Sequence, residues 1–458
     1  MSWKAEAIFE QALIAVRGRD YDRALALLVM CLAEKPDLAE AWVMRGNILL
    51  SLERFFDAIL HFDRAIALRD EAYDAWNNRG TALANLGRWD LAEQAFRKSA
   101  AIMPASEPHM GLANMFCTLM RLDEAAAEYQ AALACDPSDH EAQFNLGVTL
   151  LGLGRWPEGF KCYEHRWLNT PHPPAAYRNF AKWQGENLEG KTILLYGEQG
   201  YGDEIMAARF ASELCRRRPG ARVVLEARAP FARIARSLAG IEVITRGDPY
   251  PAGVDYSCPL LDVPMVLGME PRDVKYGAGD GSYLNAAPTF EDRIKAMPPG
   301  LNVGLCWSSG KHLSTSLGAR AMKSIPIEML KGFVMPGVNL ISLQKPAEPT
   351  PPGMNVHDWT DELGDLADTA SLIASLDLVI SVDTAVAHLA GALGKPVWNF
   401  VRFSGYWPWR AESPDNGEDS TWYPTMRLLR QPSLNDWSIP IATAVRDLNT
   451  LVKMEKAA

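Results

Sequence analysis

The sequence has almost none of the patterns that mark a metal centre, a disulfide framework or a membrane span. Its seven cysteines (Cys31, Cys117, Cys135, Cys162, Cys215, Cys258 and Cys306) are scattered singly, with no CxxC pair. That spacing suits reduced core thiols better than disulfides or zinc, so no structural metal is expected. No apolar run approaches the roughly 20 residues of a spanning helix. The start, MSWKAEAIFEQALIAVRGRDYD, is amphipathic and charged throughout, unlike a secretory leader, and a cytoplasmic protein is expected. A basic excess is missing too. The formal net charge is −10, with 17 Lys/Arg against 24 Asp/Glu in residues 1–173 and 29 against 32 in the remainder. Nucleic acid is therefore not an expected partner. The glycine-rich stretch at 200–204, GYGDE, has neither GxGxxG nor GxxxxGK[ST] spacing, which argues against a dinucleotide fold and against a phosphate loop with a lysine.

What is present is a chain of 458 residues, 48% hydrophobic and 22% charged, enough for roughly three domains of ordinary size. As far as about residue 173 it repeats with a period of 34 and one step of 33. Ala12, Gly46, Gly80, Ala113 and Gly147 correspond, as do Ala24, Ala58, Ala92, Ala125 and Gly159, then Leu28, Phe62, Phe96, Tyr129 and Tyr163. Pro36, Pro104, Pro137 and Pro171 close their units, and Asp70 stands in that place in the second. Small residues in both helices of a repeat let them approach, large aromatics fill the space left, and proline ends the second helix. This register resembles the tetratricopeptide repeat, which implies an α-solenoid of four full repeats and a partial fifth, wound as a right-handed superhelix with a concave face. Such a groove suits a peptide or protein, and a spacer or dimerisation element is the competing reading. Asn47, Asn78, Asn114 and Asn145, on the first helices of their repeats, are candidates to hydrogen-bond an extended acceptor backbone, and each also suits plain solvation.

Pro171, Pro173 and Pro174 stop this pattern, and a different one begins at Lys191. TILLYG (192–197), RVVLEA (222–227) and IEVITR (241–246) read as short buried strands separated by helices. A second set, LNVGLCW (301–307), VNLISLQ (338–344), LDLVISV (376–382) and KPVWNF (395–400), follows a cluster of prolines near 285–300. Strand–helix alternation implies two parallel Rossmann-like sheets, with a ligand cleft at the C-terminal ends of their strands. The expected domains are 1–173, 174–295 and 296–458.

Two stretches carry chemistry. In SVDTAVAHLAGALGKPVW (381–398) an acidic residue ends a strand and a helix begins at once. The first helical turn offers unpaired amides and a positive dipole end suited to phosphate, while Asp383 and the Thr384 hydroxyl can hold polar groups alongside. Equally, Asp383 and Thr384 suit a plain helix cap. In GYGDE, Gly202 permits close approach and Asp203 projects from a helix start, where a carboxylate can act as general base or simply as a cap.

The segments YGEQGYGDEIMAARF, VGLCWSSG with KSIP, ISLQK and DLADTASLIASLDLVISVDTAVAHLAGALGKPVW resemble the ADP-heptose:lipopolysaccharide heptosyltransferases. The whole chain is similar to proteins that fuse tetratricopeptide repeats to that module. The resemblance implies a GT-B glycosyltransferase of two Rossmann-like domains, inverting and metal-independent, with a nucleotide sugar as co-substrate and no other cofactor. It assigns Asp203 as catalytic base with Glu204 as fallback, and Lys323 to the donor diphosphate. Asp383, Thr384, Ala385 and His388 become the donor motif, with Gly202, Gln344 and Lys345 at the same rim. For His388 a buried structural role competes with the diphosphate contact. It further implies a Ser/Thr acceptor on a protein bound by the repeats, flagellin with a nonulosonic acid being one such pair. A lipopolysaccharide or polysaccharide transferase and a non-catalytic scaffold are the alternatives. The loop SSGKHLSTSLGARAM (308–322) departs from the family, which leaves the donor sugar open. Trp407, Trp409, Arg410, Trp422 and Tyr423 suit either stacking on a ligand ring or core filling. Oligomeric state is not legible.

Overall fold

The computed structural model describes residues 2–168, 174–274, 281–309, 323–410 and 418–455. The chain divides into two compact units, Met1–Thr149 and Leu150–Ala458. The boundary expected at residue 173, with Pro171 and Pro173, lies outside the described residues, as does most of the departing loop after Ser309.

The first unit is built from successive packed helix pairs: α1 (Ser2–Arg17) with α2 (Tyr21–Glu34), α3 (Ala39–Ser51) with α4 (Phe55–Leu68), α5 (Tyr73–Asn85) with α6 (Trp89–Ile102) and α7 (Ser106–Thr118) with α8 (Leu122–Cys135), leading into α9 (His140–Gly152). The small residues of the repeat do what their size suggests. A Cβ on Gly46 would sit 2.4 Å from the Phe62 ring. Phe96 fills the space above Gly80 of its own repeat and Gly111 of the next, where a Cβ would approach to 2.8 and 2.4 Å. The odd Asp70 is also explained. Trp42 donates its indole N–H to the Pro36 carbonyl and Trp76 donates to that of Asp70, both at 2.9 Å, so the contact uses backbone that any residue supplies.

The second unit opens with α10 (Trp156–Tyr163) and α11 (Ala175–Asn179). A first lobe follows, with β1 (Ala181–Lys182), β2 (Thr192–Tyr196), α12 (Tyr201–Arg217), β3 (Arg222–Ala227), α13 (Ala229–Ala235), β4 (Glu242–Thr245), β5 (Val254–Pro259), α14 (Val263–Val266) and α15 (Glu291–Lys295). Its strands pair in parallel in the order β1-β5-β2-β3-β4. The second lobe has β6 (Leu301–Cys306), β7 (Val338–Ser342), β8 (Val356–His357), α16 (Leu366–Ala374), β9 (Leu378–Val382), α17 (Ala385–Ala392), β10 (Val397–Val401), β11 (Met426–Arg430) and α18 (Ser438–Glu455). Its parallel order is β11-β10-β9-β6-β7-β8. Both are Rossmann-like sheets. Strands β2 and β9 are buried at every position, as central strands covered on two faces must be. Strands β1, β5, β8 and β11 and helix α18 fall outside the pattern read from the sequence. Of these, β5 carries polar Asp255 and Ser257, while β11 and α18 lie in the tail, where Leu429, Trp437 and Leu448 complete the second core.

Trp407, Trp409, Trp422 and Tyr423 are at most 2% exposed, so their rings fill space rather than await a ligand. Trp156 stacks on Trp422 at 5.3 Å, and Phe160 meets Trp407 edge-on at 6.1 Å. Helix α10 is thereby packed into the same unit as the two sheets. Next to it, Arg166 is 5% exposed and makes ion pairs with Glu198 at 2.5 Å and Asp262 at 2.6 Å. The cluster fixes the start of the loop after β2. Replacing Arg166 by Met strands the buried Glu198 and leaves Asp262 only the Lys182 ion pair at 3.3 Å, and the expected loss is about 3–5 kcal/mol in denaturant unfolding at neutral pH. Burial already pushes the Glu198 carboxyl above its usual range. The deficit should therefore shrink as pH falls and that group takes a proton; an equal loss at pH 4 and pH 7 contradicts the assignment.

Candidate functional site

The loops after β2 and β9 open onto one cleft of about 940 Å³ between the two sheets of the second unit. Its lining includes Gly202, Asp203, Lys323, Lys345, Asp383, Thr384, Ala385 and His388. The two lobes come this close because Gly202 has no side chain: a Cβ there would stand 2.6 Å from Cδ2 of His388. Helices α12 and α17 thus present their N-termini to the same space.

The two helix starts are finished differently. On α12, Oδ2 of Asp203 accepts the Gly200 amide at 3.0 Å, so this carboxylate both caps the helix and borders the cleft. Burial pushes its carboxyl up to about 6 and the nearby Asp383 adds to the rise, against the Gly200 amide, the Tyr406 hydroxyl and Lys323. On α17, Thr384 occupies the cap position without a side-chain cap bond. Its hydroxyl meets Ser381 at 3.1 Å instead. Ala385 and Val386 also line the cleft, so the start of α17 opens onto it.

Asp383 accepts the indole N–H of Trp409 at 2.8 Å. His388 is 4% exposed, pairs Nδ1 with the Tyr423 hydroxyl at 2.9 Å, and lies 4.0 Å from Asp383 through Nε2. Burial drives its pKa down to about 4, so the ring is neutral near pH 7 and offers a hydrogen bond rather than a charge. Lys345 donates to the Leu363 carbonyl. Among the described residues, no ion pair or hydrogen bond engages Lys323.

Two expected residues stand elsewhere. Glu204 is 1% exposed and is ion-paired with Arg228, whose guanidinium also donates to the carbonyls of Gln199 and Gly200 at 2.8 and 2.7 Å. One residue step, about 100° around the helix, separates the roles here: Asp203 faces the cleft and Glu204 faces the core. Gln344 is 1% exposed, and its side-chain oxygen accepts the amides of Trp307 and Ser308 at 3.1 and 2.9 Å, so it braces the end of β6 rather than meeting the cleft. In the first unit Asn78 donates to Asn47 at 2.8 Å, and Asn114 accepts from the Tyr129 hydroxyl at 2.6 Å. Asn145 lends its carbonyl to Thr149 at 2.9 Å. Residues that the sequence pattern missed are Gln199, Arg228 and Tyr406, all lining the cleft. No motif singles them out; only Gln199 sits inside a flagged loop.

Residues 9–70 and 43–107 match the model for the tetratricopeptide repeat, and 113–154 match a second model of the TPR repeat. The first unit is a tetratricopeptide-repeat solenoid. Residues 364–399, spanning α16, β9 and α17, match glycosyltransferase family 9 (heptosyltransferase). The chain is 27% identical over 451 residues to Protein FlbA of Caulobacter vibrioides, covering 90% of this chain and 74% of that one. It is 26% identical over 182 residues to Protein O-mannosyl-transferase Tmtc3 of Drosophila melanogaster, covering 34% and 19%. A thermophilic TPR protein of Thermus thermophilus is similar in structure over 36% of this chain and 92% of its own, with 19% identity and a TM-score of 0.33. The segment that matches glycosyltransferase family 9 includes Asp383 and Thr384 at the cleft. Among the described residues no helix is long and apolar enough to cross a membrane.

The α17 amides can be tested without knowing the substrate. Ala385→Pro should preserve the fold, since proline suits a first helical position and Thr384 before it is already extended (φ −143°, ψ 170°). It removes one amide donor, and a hydrogen bond to a charged group is worth about 1.5–3 kcal/mol. Whichever of ADP, GDP, UDP or CMP binds the parent protein in calorimetric titration should bind the variant about ten- to a hundredfold more weakly. Unchanged affinity removes these amides from the site.

Proposed function

We propose that this chain is an inverting, metal-independent glycosyltransferase of the GT-B type, moving a sugar from a nucleotide-sugar donor to Ser or Thr of a protein recruited by the repeats. The observation that carries the reading is the facing of Asp203 and the Asp383–Thr384 helix start across one cleft, the latter inside the segment that matches glycosyltransferase family 9. In this reading 174–295 is the acceptor side, 296–458 holds the donor, and the protein works in the cytoplasm.

Asp203 takes the proton of the acceptor hydroxyl, whose oxygen attacks the anomeric carbon as the bond to the donor phosphate breaks. The departing nucleotide carries off the electron pair. Its growing charge is met by Lys323 and the α17 amides, while Asp383 holds sugar hydroxyls and neutral His388 a phosphate oxygen, of a diphosphate or of the single phosphate of a CMP donor. Lys345 serves the nucleotide at the rim, and Gly202 leaves room for both substrates. Glu204 and Gln344 act through support of their loops. For the acceptor, the asparagines of the repeats offer a backbone-reading surface, and flagellin with a nonulosonic acid is the first pair to try. A lipopolysaccharide or polysaccharide acceptor is the second reading, favoured by the family 9 match.

Intact-mass analysis of proteins from cells with and without the chain tests both. Loss of a fixed mass from one protein supports the first reading; a change confined to glycan supports the second. In either assay Asp203→Asn should abolish transfer. For the parent enzyme the rate should fall as pH drops through about 6, where the raised carboxyl of Asp203 takes up a proton and ceases to be a base. A rate that stays flat down to pH 5 excludes Asp203 as the base.

A further inference from the structure

The second helices of the first two repeats, α2 and α4, both pack on α3 and so lie side by side along the solenoid. The 34-residue step sets Asp22, Ala26 and Met30 of α2 level with Phe56, Leu60 and Arg64 of α4. Within each triplet the spacing is four residues, so each runs as a stripe along one side of its helix. Every one of these side chains faces solvent, with Met30 at 55%, Phe56 at 69% and Leu60 at 67% exposure. The next step brings Asp90, Gln94 and Lys98 of α6 to the same levels, where the face is polar and Lys98 pairs with Asp70. Large apolar side chains grouped on one outward face, and absent from the equivalent face two helices on, mark a surface that meets another protein.

The charges say which protein. Along α2 the stripe reads acid, small, apolar; along α4 it reads aromatic, apolar, base. Turned end for end, the α4 stripe complements the α2 stripe at every level. The neighbouring Asp57 and Asp63 are taken by Arg54 and Arg79 at 2.6 Å each. Among the described residues no ion pair or side-chain hydrogen bond engages Asp22 or Arg64. We propose that this face joins two copies of the chain about a two-fold axis passing between α2 and α4, with α2 of each copy antiparallel to α4 of the other. Asp22 then meets the partner's Arg64, Ala26 meets the partner's Leu60, and Met30 meets the partner's Phe56; the axis repeats each contact. Laying α2 on the second copy's α2 would instead oppose an acid to a methionine and leave both charges unanswered, so charge selects the register. Methionine and phenylalanine suit the interior of such a contact, and the two charge pairs fall at its diagonal corners. The cleft plays no part in this pairing. Asn47, Asn78 and Asn114 stand on the first helices of their repeats, α3, α5 and α7, and are not used by it.

Sedimentation velocity of the full chain from about 1 to 200 µM reads the association directly. The face is smaller than a standard stable interface, so the parent should pass from monomer to dimer across that range, with Kd on the order of 10 µM. Asp22→Arg opposes two arginines and Arg64→Asp opposes two aspartates, and each should dimerise at least about tenfold more weakly. An equimolar mixture of these two variants restores opposite charges at both corners and should form a heterodimer with close to the parent's affinity; the Asp22→Arg/Arg64→Asp double variant should regain it as a homodimer. That rescue separates a broken contact from a damaged fold. Phe56→Ser, which changes an exposed side chain, should leave a monomer. A parent that stays monomeric throughout overturns the proposal and leaves the face to another occupant. So does a dimer indifferent to either charge change, or a mixture of the two variants that stays monomeric.

Discussion

The cleft depends on the close approach of Gly202 to His388. At 2.6 Å from Cδ2, a Cβ at position 202 would force α12 and α17 apart, and with them the strand ends that carry the two loops. Because the helices meet at their N-termini, the positive ends of two dipoles converge, and each must be answered. The chain answers one of them itself, with Asp203 on the Gly200 amide, and leaves the other without a side-chain cap at Thr384. From this asymmetry comes a division of labour: a carboxylate at one helix start, room for an anion at the other. A helix N-terminus ordinarily favours the charged form of an acid, so the raised carboxyl of Asp203 means that burial and the charge of Asp383 outweigh the dipole.

Holding such a loop takes more than its glycines. Residues 197–204 contain three acidic groups, and their fates differ by which way the backbone turns. Glu198 goes to Arg166, Glu204 goes to Arg228, and only Asp203 is left to the cleft. The two buried pairs are costly to desolvate, and their value lies in fixing backbone direction rather than in net stability. Arg228 shows this directly, since it donates to two loop carbonyls besides pairing with Glu204. The aromatic packing of Trp156 and Phe160 on Trp422 and Trp407 does the same for α10, whose Tyr163 then reaches Gln199.

The elements that repeat or alternate were legible in the sequence. The 34-residue period located Gly46 against Phe62 and Gly80 against Phe96, because packing of a small residue on a ring is a local matter within one helix pair. Strand β3 spans RVVLEA in full, and its central Val223, Val224 and Leu225 form the apolar run expected of a strand covered on both faces. Asp203, Asp383 and Thr384 were visible for a similar reason: ligand sites in such folds gather at strand ends. Orientation was not visible. Glu204 lies next to Asp203 and turns inward by one helical step, and Gln344 ends its strand facing the β6 amides. Tyr406 and Tyr163 were hidden more deeply, because their partner Gln199 lies 207 and 36 residues away, and no short-range pattern records a contact of that separation.

The charge arrangement of the cleft bears on how the anionic donor of the proposed function would lie. Arg228 is committed to Glu204 and Lys345 to the Leu363 carbonyl, while Asp365 is taken by Arg233 from the opposite lobe. Among the described residues the cleft lining carries the carboxylates of Asp203, Asp365 and Asp383 and the cations of Arg228, Lys323 and Lys345, so neither sign dominates the cleft. For such a donor the attraction is local, from the α17 amides, Lys323 and Lys345, and the contribution of the helix end acts over about one turn. A phosphate held there is kept clear of Asp203 by like-charge repulsion. The hydroxyl-bearing face of a sugar is then the part that can border both carboxylates, and the acid group of a nonulosonic acid would have to lie away from them. In the proposed function, phosphate at the α17 amides and sugar hydroxyls beside Asp203 and Asp383 is the orientation that keeps like charges apart.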